Sequence, residues 1–220
     1  MGERALRKVI MLMGYQRSGS NVFFNSLASD PSLNSYNESM DNGFFCEWRL
    51  RGEEEVREVL AGFPGTVLLK PISEPTYRDV NGVFEEYSAY DLWVAWIYRD
   101  PVNVYHSWAV KWGSSVDQIV EEWLRSNERI LQCLPKYSDR IVIVKYEDLV
   151  LSRKLFIQAC DFLGVKGKYQ FRKDSGNGRH SLSKELIKDI DERTAEILSR
   201  MDEHRSFTPS EGFLQRLMKR

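Results

Sequence analysis

Apolar residues along this chain fall in short unbroken runs separated by longer amphipathic stretches. Residues 9–13, Val-Ile-Met-Leu-Met, form one such run and end at Gly14, as expected of a strand buried on both faces of a parallel sheet. Residues 67–69, 92–98 and 141–144 have the same character and predict three more buried strands. Helical patterns lie between them, over 21–28, 53–60, 102–112, 116–134 and 155–163, with Gly164 placed to stop the last. Within 116–134, Val116, Ile119, Val120, Trp123, Leu124, Ile130 and Leu131 fall mostly on one face. A final helix is predicted over about 183–204, with Leu186, Ile190, Ile197 and Met201 on one stripe. Strands alternating with helices predict an α/β fold of three layers, a mainly parallel central sheet flanked by helices. No repeat, low-complexity tract or long linker interrupts the pattern, and 220 residues suit a single domain over 1–220. Sheets of this kind bind ligands beyond the carboxyl ends of their strands, so the chemistry is sought there.

Composition changes this picture little. The chain is 42% hydrophobic and 29% charged, the balance of a soluble globular protein. A formal net charge of -1 supplies no bulk field for nucleic acid or an anionic membrane, so local basic clusters must hold any anion. Cys46, Cys133 and Cys160 are widely spaced, with no Cys-x-x-Cys pair. That argues against a disulfide framework or a cysteine-rich metal site, and for a reducing compartment. The apolar run at 9–13 is too short for a signal peptide, and Leu6 breaks the myristoylation pattern. No stretch approaches the ~20 apolar residues of a bilayer span. The expectation is a cytoplasmic protein with no membrane span and no nucleic-acid partner.

Two segments carry candidate chemistry. Gly14-Tyr15-Gln16-Arg17-Ser18-Gly19-Ser20-Asn21 leaves the first strand and opens the first helix. Gly14 and Gly19 have the G-x-x-x-x-G spacing of a phosphate loop, whose backbone N–H groups turn inward around an anion at the positive end of a helix. In a nucleotide kinase or NTPase a lysine and a hydroxyl residue would follow, one reaching the phosphates and the other holding Mg²⁺. Here Ser20-Asn21 stand there, and the positive charge sits earlier, at Arg17. The same spacing also describes a plain glycine–serine turn. The second segment runs from Tyr98 to Trp108, again from an apolar strand into a helix, with Pro101 suited to the first helical turn. Arg99 at the strand end and Ser107 two turns along are placed to clamp a second phosphate. Taken alone, this segment reads more simply as an Asp100-Pro101 helix cap beside a solvated arginine.

Together the two segments resemble the PAPS-dependent sulfotransferase family. Its first motif, loosely P-[KR]-S-G-T-T, corresponds to Gln16-Arg17-Ser18-Gly19-Ser20-Asn21; its second, R-x-P-x-x-x-x-x-S, to Arg99-Asp100-Pro101 through Ser107. Lys145-Tyr146-Glu147-Asp148-Leu149 looks like a third family segment, and the likeness runs in matching order over residues 8–165. Gln16 for proline, Ser20-Asn21 for Thr-Thr and the short chain depart from the pattern. The resemblance implies a P-loop NTPase-like fold. It also implies metal-independent transfer of a sulfuryl group from 3′-phosphoadenosine 5′-phosphosulfate (PAPS) to a hydroxyl or amine, leaving adenosine 3′,5′-bisphosphate. The first motif would cradle the 5′-phosphosulfate and the second the 3′-phosphate, with Arg17 neutralising the leaving oxygen.

The resemblance extends to single residues. In the tyrosylprotein branch a lysine at the corresponding strand end assists the leaving oxygen, which points to Lys70; a surface lysine covering the strand end is an equal reading. The same branch has its base glutamate at a like distance from the loop, which points to Glu38, 21 residues after Arg17 in the polar stretch 34–42. Glu47 is the weaker rival, and His106 lies in the wrong helix for the histidine base of cytosolic members. Those members close a basic, glycine-containing loop over the 3′-phosphate; here 171–180 fits, with Arg179 first and Arg172 and Lys173 behind it. Most tryptophans fall on core patterns, whereas Trp48 and Tyr36 suit an acceptor pocket or an adenine face. A small-molecule, carbohydrate, lipid or peptide acceptor all fit. Two other classes remain open: a Mg²⁺-ATP-dependent kinase or NTPase, and a nucleotide-binding protein without catalysis.

Overall fold

The structure is a computed structural model that describes residues 7–39, 41–62, 65–172, 179 and 181–208. Its first half runs β1 (Lys8–Gly14), α1 (Ser20–Ala28), β2 (Leu33–Asn37), a hairpin of β3 (Phe45–Cys46) and β4 (Arg49–Leu50), α2 (Glu53–Ala61) and β5 (Thr66–Lys70). There follow α3 (Glu74–Tyr77), α4 (Val80–Glu86), β6 (Asp91–Tyr98), α5 (Pro101–Trp112) and α6 (Val116–Tyr137). The last elements are β7 (Ile141–Lys145), α7 (Tyr146–Leu151), α8 (Arg153–Leu163) and α9 (Lys184–Glu203).

Five strands form one sheet in the order β2-β5-β1-β6-β7, every pair parallel. The apolar run of β1 is unbroken because helices cover both faces. Val9, Met11 and Met13 point into a core shared with α2, α4, α6 and α9, and Ile10 and Leu12 into one shared with α1, α7 and α8. All five are fully buried, each worth about 1.5–3 kcal/mol of transfer free energy. The three-layer α/β architecture predicted by the hydrophobic pattern is the one observed. No helix among the described residues is long and apolar enough to cross a membrane.

The edge of the sheet differs from expectation. Part of the stretch expected as loop, Leu33–Asn37, is strand β2, half-buried along its whole length. An edge strand seen by solvent does not need an apolar run, so the pattern is silent there. Trp96 and Trp123 are core, as their patterns indicate, but Trp112 at the end of α5 is 49% exposed. From β1 the chain moves to one side of the sheet (β2, β5) and then crosses to the other (β6, β7). The crevice between β1 and β6 is therefore a topological switch point.

Candidate functional site

Both candidate segments leave the sheet at that crevice. Gly14 has φ 151, and a Cβ there would lie 2.1 Å from the Ile97 carbonyl oxygen. Gly19 has φ 90, and its Cβ would lie 2.1 Å from the Tyr146 ring. The glycine spacing is thus set by close approach of β6 and α7. Gly19 offers α1 no side-chain cap, so the first N–H groups of this nine-residue helix and its positive end face the loop. Ser18 is fully buried, and its Oγ has no hydrogen-bond partner among the described residues. A buried orphan hydroxyl costs about 1–3 kcal/mol, and an anion's oxygen would satisfy it.

The two motifs meet in one place. Arg99 Nη1 donates to the Arg17 carbonyl at 3.3 Å, across 82 positions of sequence. Arg17, itself at φ 66, turns its side chain toward α5 and donates from Nε to Ser107 Oγ at 2.9 Å. Arg17 also stacks over Trp112 (5.3 Å) and Arg99 over Tyr146 (4.8 Å). Burial, and then the neighbouring Arg99, lower the Arg17 pKa. A nearby anion would relieve this mutual repulsion. Asp100 caps α5 by accepting from Asn103 N–H at 3.1 Å, as the helix-cap reading expects, but Arg99, its side chain 11% exposed, is not the solvated arginine of that reading.

The carboxylate and the lysine come together through strand register. Asn37 of β2 pairs with Lys70 of β5, which brings the next residue, Glu38, beside Lys70. Glu38 Oε1 lies 3.7 Å from Lys70 Nζ, which also donates to Asn21 Oδ1 at 3.0 Å. Glu38 Oε2 accepts from Ser73 N–H at 3.1 Å and from Ser73 Oγ at 3.0 Å. Glu38 and Lys70 are 3% and 6% exposed, so Lys70 is no surface lysine. Burial raises the Glu38 carboxyl against the opposing pull of Lys70, and lowers the Lys70 ammonium.

Gln16, Arg17, Ser20, Asn21, Glu38 and Lys70 line one pocket of about 280 Å³, whose rim includes Trp48, Lys111 and Trp112. Glu47 is not among its walls; it sits exposed at the tip of the β3–β4 hairpin. Tyr36 packs against Phe44 (4.6 Å) at the edge of the core and not in the pocket. Arg179 forks to Asp100 (2.7 Å) and Asp191 (2.8 Å), which brings it to the start of α5 and raises its pKa further. Arg172 is exposed, and Lys173 lies outside the described residues. Two supporting residues escaped the residue-by-residue reading. Tyr146 is the surface against which Gly19 and Arg99 pack, and Glu147 sits 3.8 Å from Arg99 Nε while accepting from Asp100 N–H at 3.3 Å. Their position directly after a strand's carboxyl end was the available signal. Among the described residues no three His, Cys, Asp or Glu side chains gather as metal ligands would.

Solved structures match this arrangement of elements. A sulfotransferase from Alicyclobacillus acidocaldarius superimposes with a TM-score of 0.64 over 91% of this chain and 97% of its own, at 16% identity. The sulfotransferase domain of the curacin biosynthetic pathway gives 0.63 over 90% and 98%, at 18% identity. The chain has the sulfotransferase fold. A sulfotransferase domain from the Synechococcus PCC 7002 olefin synthase agrees with a TM-score of 0.59 over 94% and 98%, at 16% identity. No family model matches the sequence. No curated protein matches it either. The likeness is therefore one of architecture, and the site's chemistry rests on its own residues.

Proposed function

We propose that the protein transfers a sulfuryl group from PAPS to a hydroxyl- or amine-bearing acceptor, with fixed side-chain cations in the role a metal fills elsewhere. The observation that carries this reading is the joining of a phosphate loop with a buried, unpartnered Ser18 hydroxyl to a second cationic motif through Arg17, Arg99 and Ser107. A ligand with two separated anionic groups answers both halves; a single phosphate answers one. Gln16, Ser18, Gly19, Ser20 and Asn21 would hold the 5′ end, and Arg99 and Ser107 the 3′-phosphate, with Arg179 beside them. When bound, PAPS supplies an activated sulfuryl group on a stable leaving group. Arg17 and Lys70 set positive charge where negative charge grows, the largest lever available to such a site. Glu38 accepts the acceptor's proton. Trp48 and Trp112 on the rim give an acceptor with a flat face, such as a phenol or a sugar ring, a surface to lie against.

The test is thermal. Adenosine 3′,5′-bisphosphate at a hundredfold excess over Kd should stabilise the protein by about 2.7 kcal/mol, without added metal and well beyond AMP at equal concentration. Equal shifts with AMP would remove the 3′-phosphate site. A shift that needs Mg²⁺ and ATP would support a kinase or NTPase instead. Labelled PAPS with a panel of phenols, sugars and amines then separates an enzyme from a silent binder.

A further inference from the structure

Ser73 is the N-cap residue of α3, where a serine hydroxyl ordinarily accepts from the helix's own N–H groups. It makes no such cap. Ser73 is 5% exposed, and its Oγ faces two acceptors instead: Glu38 Oε2 at 3.0 Å and the Trp48 carbonyl at 2.7 Å. A hydroxyl has one proton to give. While Glu38 is ionised it can only accept, so it competes with Trp48 for that proton. Once Glu38 carries a proton of its own, it donates to Ser73 Oγ, and the hydroxyl is released to donate to Trp48.

What hangs on the Trp48 carbonyl is the hairpin that walls the pocket. Glu47 and Trp48 take φ values of 48 and 65, left-handed conformations that bulky residues avoid. The turn is held from outside: Glu47 N–H donates to Asp41 Oδ1 at 2.9 Å, and Leu50 N–H to Glu74 Oε1 at 2.9 Å. The Ser73 bond is the tether nearest the exposed indole of Trp48. The charged groups around Glu38 are Lys70 from β5, paired with it, and Arg17 and Lys111 along the same pocket.

We propose that Ser73 is a positioning residue that couples the proton on Glu38 to the seating of the Trp48 hairpin. This rests on the reading of Glu38 as the base. With Glu38 ionised and ready, the tether at Trp48 is shared and the wall yields to an incoming acceptor. As Glu38 takes the acceptor's proton, the chain of hydrogen bonds reverses, Glu38 to Ser73 to Trp48, and the wall tightens around the reacting pair. Loss of that proton to solvent frees the wall again.

The experiment needs neither donor nor acceptor. Trp48 fluorescence, read as the difference between the parent protein and Trp48→Phe, is followed from acid to neutral pH. The parent should show one inflection, above the ordinary glutamate range. Glu38→Gln should lose it, Ser73→Ala should lose it, and Ser73→Thr, which keeps the hydroxyl, should retain it. Far-UV circular dichroism of each variant reports folding. If Ser73→Ala does not fold, the other two decide: an inflection surviving Glu38→Gln, or absent from folded Ser73→Thr, overturns the coupling. So does an inflection that survives in folded Ser73→Ala. The thermal response to adenosine 3′,5′-bisphosphate, measured on the same samples, separates the two readings. A normal inflection without that response sinks the sulfuryl-transfer reading and leaves the coupling standing.

Discussion

At Glu38, burial and the Lys70 ammonium pull the carboxyl in opposite directions, and burial wins. A raised pKa makes a stronger base, at the cost of a later onset as pH rises. Only the ionised form can take a proton, so turnover should fall as pH drops through a value above that of an ordinary glutamate. Glu38→Gln keeps the shape and most hydrogen bonds while removing basicity, but it leaves the buried Lys70 charge without its partner, so circular dichroism and urea unfolding first establish that the variant is folded. Turnover of an alcohol acceptor should drop about 10²–10⁴-fold, and the acid limb of the pH–rate profile should disappear with it. A phenol, which ionises more readily, should suffer less. An unchanged acid limb in Glu38→Gln would assign the base to another residue.

One level up, elements dictate which residues can serve at all. The loop between β1 and α1 exists in its observed shape because glycine stands at the two places where other chain comes too near. Gly19→Ala adds a Cβ at φ 90 onto the Tyr146 ring, so α7 or the start of α1 has to move. We expect a loss of about 1–3 kcal/mol by urea unfolding, and a loss of the bisphosphate response, because the N–H groups of α1 no longer converge. Gly82 in α4 is the control, with nothing within 4 Å of an added Cβ. Gly82→Ala should stabilise by about 0.4–1 kcal/mol. Gly19→Ala as stable as the parent would show that the loop is a tolerant turn.

The whole molecule adds what no single element has, a crevice at which the chain's two halves meet. The donor's two anionic ends are assigned to segments leaving β1 and β6, on either side of the switch point. Adenosine 3′,5′-bisphosphate should therefore slow amide exchange at the starts of both α1 and α5, while AMP slows it at α1 alone. Protection confined to α1 under both ligands would break that assignment. The same view explains what could be read in advance. The four strands from β5 to β7 across β1 announce themselves because most of their residues are buried, and the glycines because neighbouring chain leaves no room for a Cβ, whereas the Arg99–Ser107 pair was read through the family resemblance. β2 is polar and half-exposed, so neither the strand nor its register with β5 was legible. Without that register, Glu38 could be placed beside Lys70 only by resemblance, and its contact with Ser73 not at all. Glu147 and Tyr146 stood in a recognised segment, but their service to Arg99 and Gly19 depends on how α7 packs.

The Glu38–Lys70 pair carries a consequence for descent. Both charges are almost wholly withdrawn from water, and removing one partner of a buried pair costs about 3–5 kcal/mol. Most domains hold only about 5–15 kcal/mol in reserve, so a lineage that loses either residue first passes through a protein near the edge of folding. The superimposed structures share the fold at 16–18% identity, so the fold itself accommodates very different sequences. These two positions have far less freedom to drift one at a time, and a new solution at either one has to arrive with its partner.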